Sequence, residues 1–115
     1  MKDFPDFMKN PKNRVENKDQ YSKDIEGYYF EGNDGSQMAF WTAHTAGVSA
    51  MHTHAYDEYV VCVYGRYTVL IGGEEGILEH GDEFLIPKGT EHGCSRIAGT
   101  RTIHAFGDRR IQKSP

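Results

Sequence analysis

His52 and His54 are two residues apart, and Glu58 follows four residues later at the same parity. A third imidazole, His92, arrives only far along the chain. On an extended strand, residues two apart point to the same side, so His52 and His54 form a ready pair of metal ligands. The intervening Ala55-Tyr56-Asp57 leaves room for a bend, after which Glu58 returns an anionic oxygen from a neighbouring strand. His92 follows the turn Pro87-Lys88-Gly89. A site closed by residues from such distant segments is what the interior of a small barrel supplies.

The rest of the chain has the matching pattern. From Gly27 onward, short runs rich in aromatic and β-branched residues alternate with turn residues. Strands are expected over 28–30, 37–42, 52–54, 59–64, 67–71, 75–78, 83–86, 93–97 and 100–106. Turns are expected at Asn33-Asp34-Gly35, Gly65-Arg66, Gly72-Gly73, His80-Gly81 and Ala98-Gly99. The runs 59–64 and 67–71 are expected to form a pair joined at Gly65-Arg66. Both faces of 59–64 are apolar, so this strand should be covered on both sides, by the other sheet or by a second subunit. No helical period persists. Many short strands of this kind make a sandwich or a barrel.

The two ligand-bearing segments resemble the two motifs of the cupin superfamily. In the pattern Gly-x5-His-x-His-x3,4-Glu-x6-Gly, His52, His54, Glu58 and Gly65 stand at the family spacing, and Gly47 sits one residue closer. In Gly-x5-Pro-x-Gly-x2-His-x3-Asn, Gly81, Pro87, Gly89 and His92 stand at the family spacing, and Arg96 replaces the final Asn. The stretch 66–80 between them is short, as in small single-domain bacterial cupins. The resemblance implies an all-β fold, the double-stranded β-helix or jelly-roll barrel. It also implies one divalent metal ion on His52, His54, Glu58 and His92, and a homodimer.

A chain of 115 residues suits one domain. Residues 27–108 are expected as the barrel and 109–115 as a C-terminal tail. Residues 1–26 are highly charged, with Pro5 and Pro11 and one apolar cluster, Phe4, Phe7 and Met8. They are expected as an arm that packs on the barrel or on a partner. The formal net charge is −4 and no long basic run occurs, which argues against a nucleic-acid partner. Apolar runs are too short to span a bilayer, so no membrane association is expected. The N-terminus Met-Lys-Asp-Phe-Pro-Asp-Phe does not read as a signal peptide. Cys62 and Cys94 are far apart in sequence and read as buried small hydrophobes. A cytoplasmic protein with reduced thiols is expected.

Several further residues are candidates for the site. Arg96 shares the parity of His92, so it either faces the cavity, where its planar fork would bind an anion, or lies on the rim in solvent. Arg101 is a second candidate charge partner for a substrate. His104, Phe106 and Arg110 resemble in spacing an Asp, Phe and Arg run of small cupins that convert unsaturated uronates, with His in place of the acid. Phe106 is a candidate substrate contact, although core is the preferred reading for it and a solvated tail for Arg109 and Arg110. His104 and Tyr56 are candidates for moving a proton. His44 and His80 read as surface histidines. Phe40, Trp41 and Tyr56 read as core or as a pocket mouth.

Three neutral imidazoles and a carboxylate suit Fe, Mn, Ni, Zn or Co, and affinity order does not choose among them. Four protein ligands leave two positions on an octahedral ion. The expected function is a metal-dependent isomerase, lyase or dioxygenase acting on a small polar organic acid or sugar-like molecule. The alternatives are a non-catalytic binding or sensing module, and an accessory dimer whose metal only pins the barrel.

Overall fold

A computed structural model describes residues 2–16 and 24–112. Two short 3₁₀ turns, Asp6–Met8 and Pro11–Asn13, precede nine strands among the described residues. The strands are β1 (Ile25–Glu31), β2 (Gln37–Ala43), β3 (Gly47–Val48), β4 (Glu58–Tyr64), β5 (Tyr67–Ile71), β6 (Glu74–Leu78), β7 (Glu83–Ile86), β8 (Gly93–Arg96) and β9 (Arg101–Phe106). They form a five-stranded sheet, β1-β2-β9-β4-β7, and a four-stranded sheet, β3-β8-β5-β6. Every pairing is antiparallel. This is the expected all-β jelly-roll architecture. No helix among the described residues is long and apolar enough to cross a membrane.

Two local expectations are corrected. The runs 59–64 and 67–71 do not pair: β4 lies in the five-stranded sheet and β5 in the four-stranded one. Gly65, at φ +83°, turns the chain from one sheet to the other, and its α-carbon packs directly on Thr100. The segment 52–54 is not a strand. It makes one isolated bridge, His52 opposite His92, closed by His52 N–H to the His92 carbonyl (2.8 Å) and the reverse bond (2.9 Å). The hairpins at Asn33-Asp34-Gly35 and Gly72-Gly73 form as expected, joining β1 to β2 and β5 to β6.

Alternation along the strands builds the interior. Val60 and Cys62 of β4 meet Val69, Leu78 and Ile86 from β5, β6 and β7, so one cluster bridges both sheets. A second cluster joins Tyr29, Ala39, Trp41 and Phe106 to Val15 and Ile111, which come from the two ends of the described chain. The indole of Trp41 lies across its cross-strand neighbour Gly27, where a Cβ would fall 2.3 Å from Nε1.

A third cluster sits on the outer face of the five-stranded sheet. Phe4, from the N-terminal segment, packs on Phe40 with ring centroids 4.9 Å apart, beside Tyr28, Val63 and Ile103. The outer face of β4 is therefore partly covered by the chain's own N-terminal segment.

Candidate metal centre

Each ligand is placed by a different piece of backbone. Glu58 opens β4 and sits between Ile86 of β7 and Phe106 of β9. His52 and His92 face one another through their bridge. The turn 87–90 is closed by Thr90 N–H to the Pro87 carbonyl (3.2 Å) and docks on the first segment by Gly89 N–H to the His54 carbonyl (2.8 Å). Asp57 adds a clamp: its Oδ1 accepts from Lys88 N–H (2.9 Å) and its carbonyl from Gly107 N–H (2.9 Å). His52, His54 and His92 stand together, with ring centroids 4.3 to 5.3 Å apart.

The hydrogen bonds assign the ring protons. His52 Nδ1 lies 2.9 Å from the Ala50 carbonyl and His92 Nδ1 2.9 Å from the Thr90 carbonyl. A carbonyl only accepts, so each Nδ1 carries hydrogen and each Nε2 presents a lone pair. His54 Nδ1 is 3.0 Å from the Tyr56 hydroxyl. One ligand atom from each of His52, His54, Glu58 and His92 lies within 4.8 Å of all the others. Bonds of about 2.1 Å to a first-row ion place neighbouring ligand atoms about 3 Å apart and opposite ones about 4.2 Å apart, so the set closes on an ion with small shifts.

Glu58 Oε1 carries the fit further. It lies 3.2 Å from His54 Nε2 and 3.4 Å from His92 Nε2, all three residues being buried. Glu58 Oε1 and His92 Nε2 have no hydrogen-bond partner in the neutral tautomer. Two lone pairs facing at this distance in a buried site repel, and a shared cation removes the repulsion. A proton on His92 removes it as well. Burial disfavours charge on His92, but the Glu58 carboxylate and the Thr90 carbonyl outweigh it and hold the imidazole above its ordinary value. Burial likewise works against the Glu58 anion, and hydrogen bonds from His104, His54 and His92 outweigh it and hold the carboxyl well below the carboxylate range. His52 is pushed down to about 4, first by burial and then by its two histidine neighbours, against the Ala50 carbonyl.

The cavity beside this cluster is lined by Trp41, Tyr67, Arg96, His104, Phe106 and Arg110, among others. Glu58 is the only acid among the described residues that line it, against two guanidinium groups. Arg96 is buried and lines the cavity rather than lying in solvent. Its guanidinium lies over Gly47, where a Cβ would be 3.0 Å from Nη2.

Arg101 is a correction. It has the opposite parity on β9 to His104 and Phe106, and its guanidinium lies on the outer face, 5.1 Å from the Phe4 ring centroid and 5.6 Å from that of Tyr64. Phe106 is both core and cavity wall.

His104 bridges two partners. Its Nδ1 donates to Glu58 Oε2 (2.9 Å), which leaves Nε2 to accept from the Thr102 hydroxyl (3.0 Å). It orients the carboxylate. Tyr56 touches His54 rather than the cavity. His44 and His80 are exposed, and His44 Nε2 contacts Glu26 Oε1 at 3.0 Å.

Sequence reasoning missed two residues, Tyr67 and Gln37, and preferred a solvated tail for a third, Arg110. Tyr67 lines the cavity, and burial, with Cys94 and the Glu58 charge, raises its phenol well above the ordinary value. Its inward parity with Val69 was the available signal. Arg110, read as part of a solvated tail, lies over Trp41 and Phe106 at 5.2 and 5.4 Å. Gln37, inside the barrel and fully buried, holds that segment in place. No local pattern marks Gln37, whereas Arg110 stands in the spacing with His104 and Phe106 given above.

The Cupin domain family model matches residues 39–106. No curated protein matches the chain. Among solved structures, KdgF from Halomonas sp. superposes with a TM-score of 0.69 at 22% identity, over 83% of this chain and 92% of that one. An RmlC-like cupin from Shewanella frigidimarina gives 0.73 at 19% identity, over 88% of each chain. Salicylate 1,2-dioxygenase from Pseudoaminobacter salicylatoxidans, with gentisate, gives 0.68 at 13% identity, over 76% of this chain and 26% of that one.

Proposed function

The chain belongs to the cupin domain family, and on that premise we propose that it is a metal-dependent enzyme acting on a small organic acid. The observation that carries the reading is the pair of buried acceptors, Glu58 Oε1 and His92 Nε2, facing at 3.4 Å beside a cavity with two guanidinium groups. His52, His54, Glu58 and His92 would hold one divalent ion of the series Fe, Mn, Ni, Zn or Co. When bound, that ion supplies Lewis acidity to a ligand oxygen.

The chain's own residues do the rest. Arg96 and Arg110 meet the acid group of the substrate. Trp41 and Phe106 form an apolar wall that limits water. His104, fixed by Thr102, keeps the Glu58 carboxylate in one orientation. Tyr67 stays protonated at neutral pH and is a positioned O–H donor on the cavity wall. A phenol donor beside a carboxylate-binding pair suits isomerase or lyase chemistry, in which a proton is moved at a carbon next to a carbonyl. Two buried free cysteines fit a cytoplasmic setting.

A metal-loaded screen of keto acids, uronates and phenols tests this reading. Turnover should appear with an acid substrate, and Arg96→Gln should raise its KM by about ten- to a hundredfold, the worth of one charge-assisted contact. Tight binding with no turnover under any metal would instead make the protein a small-acid binding module.

We also propose a homodimer. On the outer face of the five-stranded sheet, Phe30, Met38, Ala105, Tyr59 and Leu85 stand in register across all five strands. Phe30, Met38 and Leu85 are 47%, 53% and 58% exposed, a row that a second copy would cover. A two-fold axis at the small central Ala105 sets Phe30 and Met38 of one copy against Leu85 and Tyr59 of the other. Sedimentation should give a dimer at micromolar concentration and a monomer for Leu85→Lys. A monomeric unsubstituted chain rejects the pairing.

A further inference from the structure

One side chain ties the C-terminal segment to the barrel. Gln37, the first residue of β2, is 1% exposed. Its Oε1 accepts from the backbone N–H groups of Arg110 (3.0 Å) and Ile111 (2.9 Å). Its Nε2 donates to the Ile111 carbonyl (2.7 Å) and to Glu31 Oε1 (2.9 Å). An amide side chain has two donor hydrogens and two lone pairs, so its whole capacity is used here. Ile111 then fills the core beside Val15, Tyr29 and Trp41. Arg110, one residue earlier, is left with its guanidinium over the Trp41 and Phe106 rings. Its charge is felt inside the site, where it works against protonation of His92 and favours ionisation of Tyr67. Another tie on this segment, Arg109 Nε to Glu31 Oε2 at 3.0 Å, is on the surface, where ion pairs hold weakly.

We propose that Gln37 is the positioning residue for anion recognition in the cavity. It fixes the backbone of Arg110 so that the guanidinium stays on the Trp41–Phe106 wall, where a carboxylate-bearing ligand is met. The inference rests on the reading that the cavity takes an organic acid, and it names what sets the position of the positive charge there. The segment contributes to recognition only while it is latched.

Trp41 is the chain's single tryptophan, so its fluorescence reports this wall without a label. The test compares quenching by iodide, an anion, with quenching by neutral acrylamide on the full chain at low ionic strength. There an unscreened cation concentrates the anion. The iodide-to-acrylamide ratio should fall about threefold in Arg110→Gln, as one positive charge is removed from the wall. Gln37→Leu should reproduce that fall, and the double substitution should show no further loss, because the two residues act as one unit. An unchanged ratio in Gln37→Leu, or losses that add in full, overturns the proposal. If leucine prevents folding, Gln37→Met keeps the length of the side chain and lacks the same bonds. Amide hydrogen exchange on the unsubstituted protein decides independently: the Arg110 and Ile111 amides should be protected like those of β2, and free exchange there also overturns the proposal. None of these readings needs metal or turnover, so failure of the metal-enzyme reading and failure of the latch give different results.

Discussion

His92→Ala is expected to weaken binding of a divalent transition ion by about two to three orders of magnitude, measured by competition with a chelating indicator. Structural zinc sites in small peptides bind with roughly 10–16 kcal/mol, and on that scale one of four ligands carries about 3 kcal/mol, or some two decades in affinity. The ligand is lost with little else. The bridge to His52 runs through the backbone, so alanine keeps it. The far end of the site, where His104 holds Glu58 Oε2, is also untouched. The fold should therefore persist in circular dichroism while the affinity falls. An unchanged affinity would exclude the four-residue site.

The second large effect is on stability. Gly65→Ala is expected to destabilise the chain by roughly 3 kcal/mol, the sum of a positive-φ penalty and overpacking. For a domain of this size that lowers the thermal midpoint by about 10–15 °C. The backbone at Gly65 has φ +83°, and a Cβ there would come within 2.5 Å of Thr100 Oγ1 and 2.8 Å of the Thr100 α-carbon. Thr100 cannot move aside easily. Its hydroxyl accepts from Arg66 N–H and lies within bonding reach of the Arg66 and Ile97 carbonyls, which holds the crossing between sheets. Gly81→Ala is the control. It shares a positive φ of +89° but has nothing within 4 Å, so it should cost only about 1 kcal/mol. Equal thermal shifts for the two would remove the steric part of the argument.

The four candidate ligands were legible because metal chemistry restricts residue type and the spacing restricts direction. The hairpins were legible because their turns carry their own chemistry, Asn33-Asp34-Gly35 and Gly72-Gly73. Which sheet a strand joins was not. Gly65-Arg66 looks like a hairpin turn, yet β4 and β5 part at that point, and only contacts from Thr100 and β8 decide it. Arg101 was a missed parity: it is three residues from His104 on one strand and so must face the other way. The segment 52–54 makes a single strand-type bridge, to His92, and is otherwise docked by Gly89. Gln37 and Ile111 lie 74 positions apart, and the bonds between them leave no trace in local composition.

The backbone bridge between His52 and His92 has a consequence for metal exchange. Its two hydrogen bonds form without an ion, so the backbone that carries these two imidazoles is placed by the chain rather than gathered by a metal. Little ordering remains to be done when an ion arrives, and little is undone when it leaves. A chelator should strip the protein without melting it, and a different ion should enter the same cradle. The chain would then carry whichever suitable ion its surroundings supply, with its chemical identity chosen after folding.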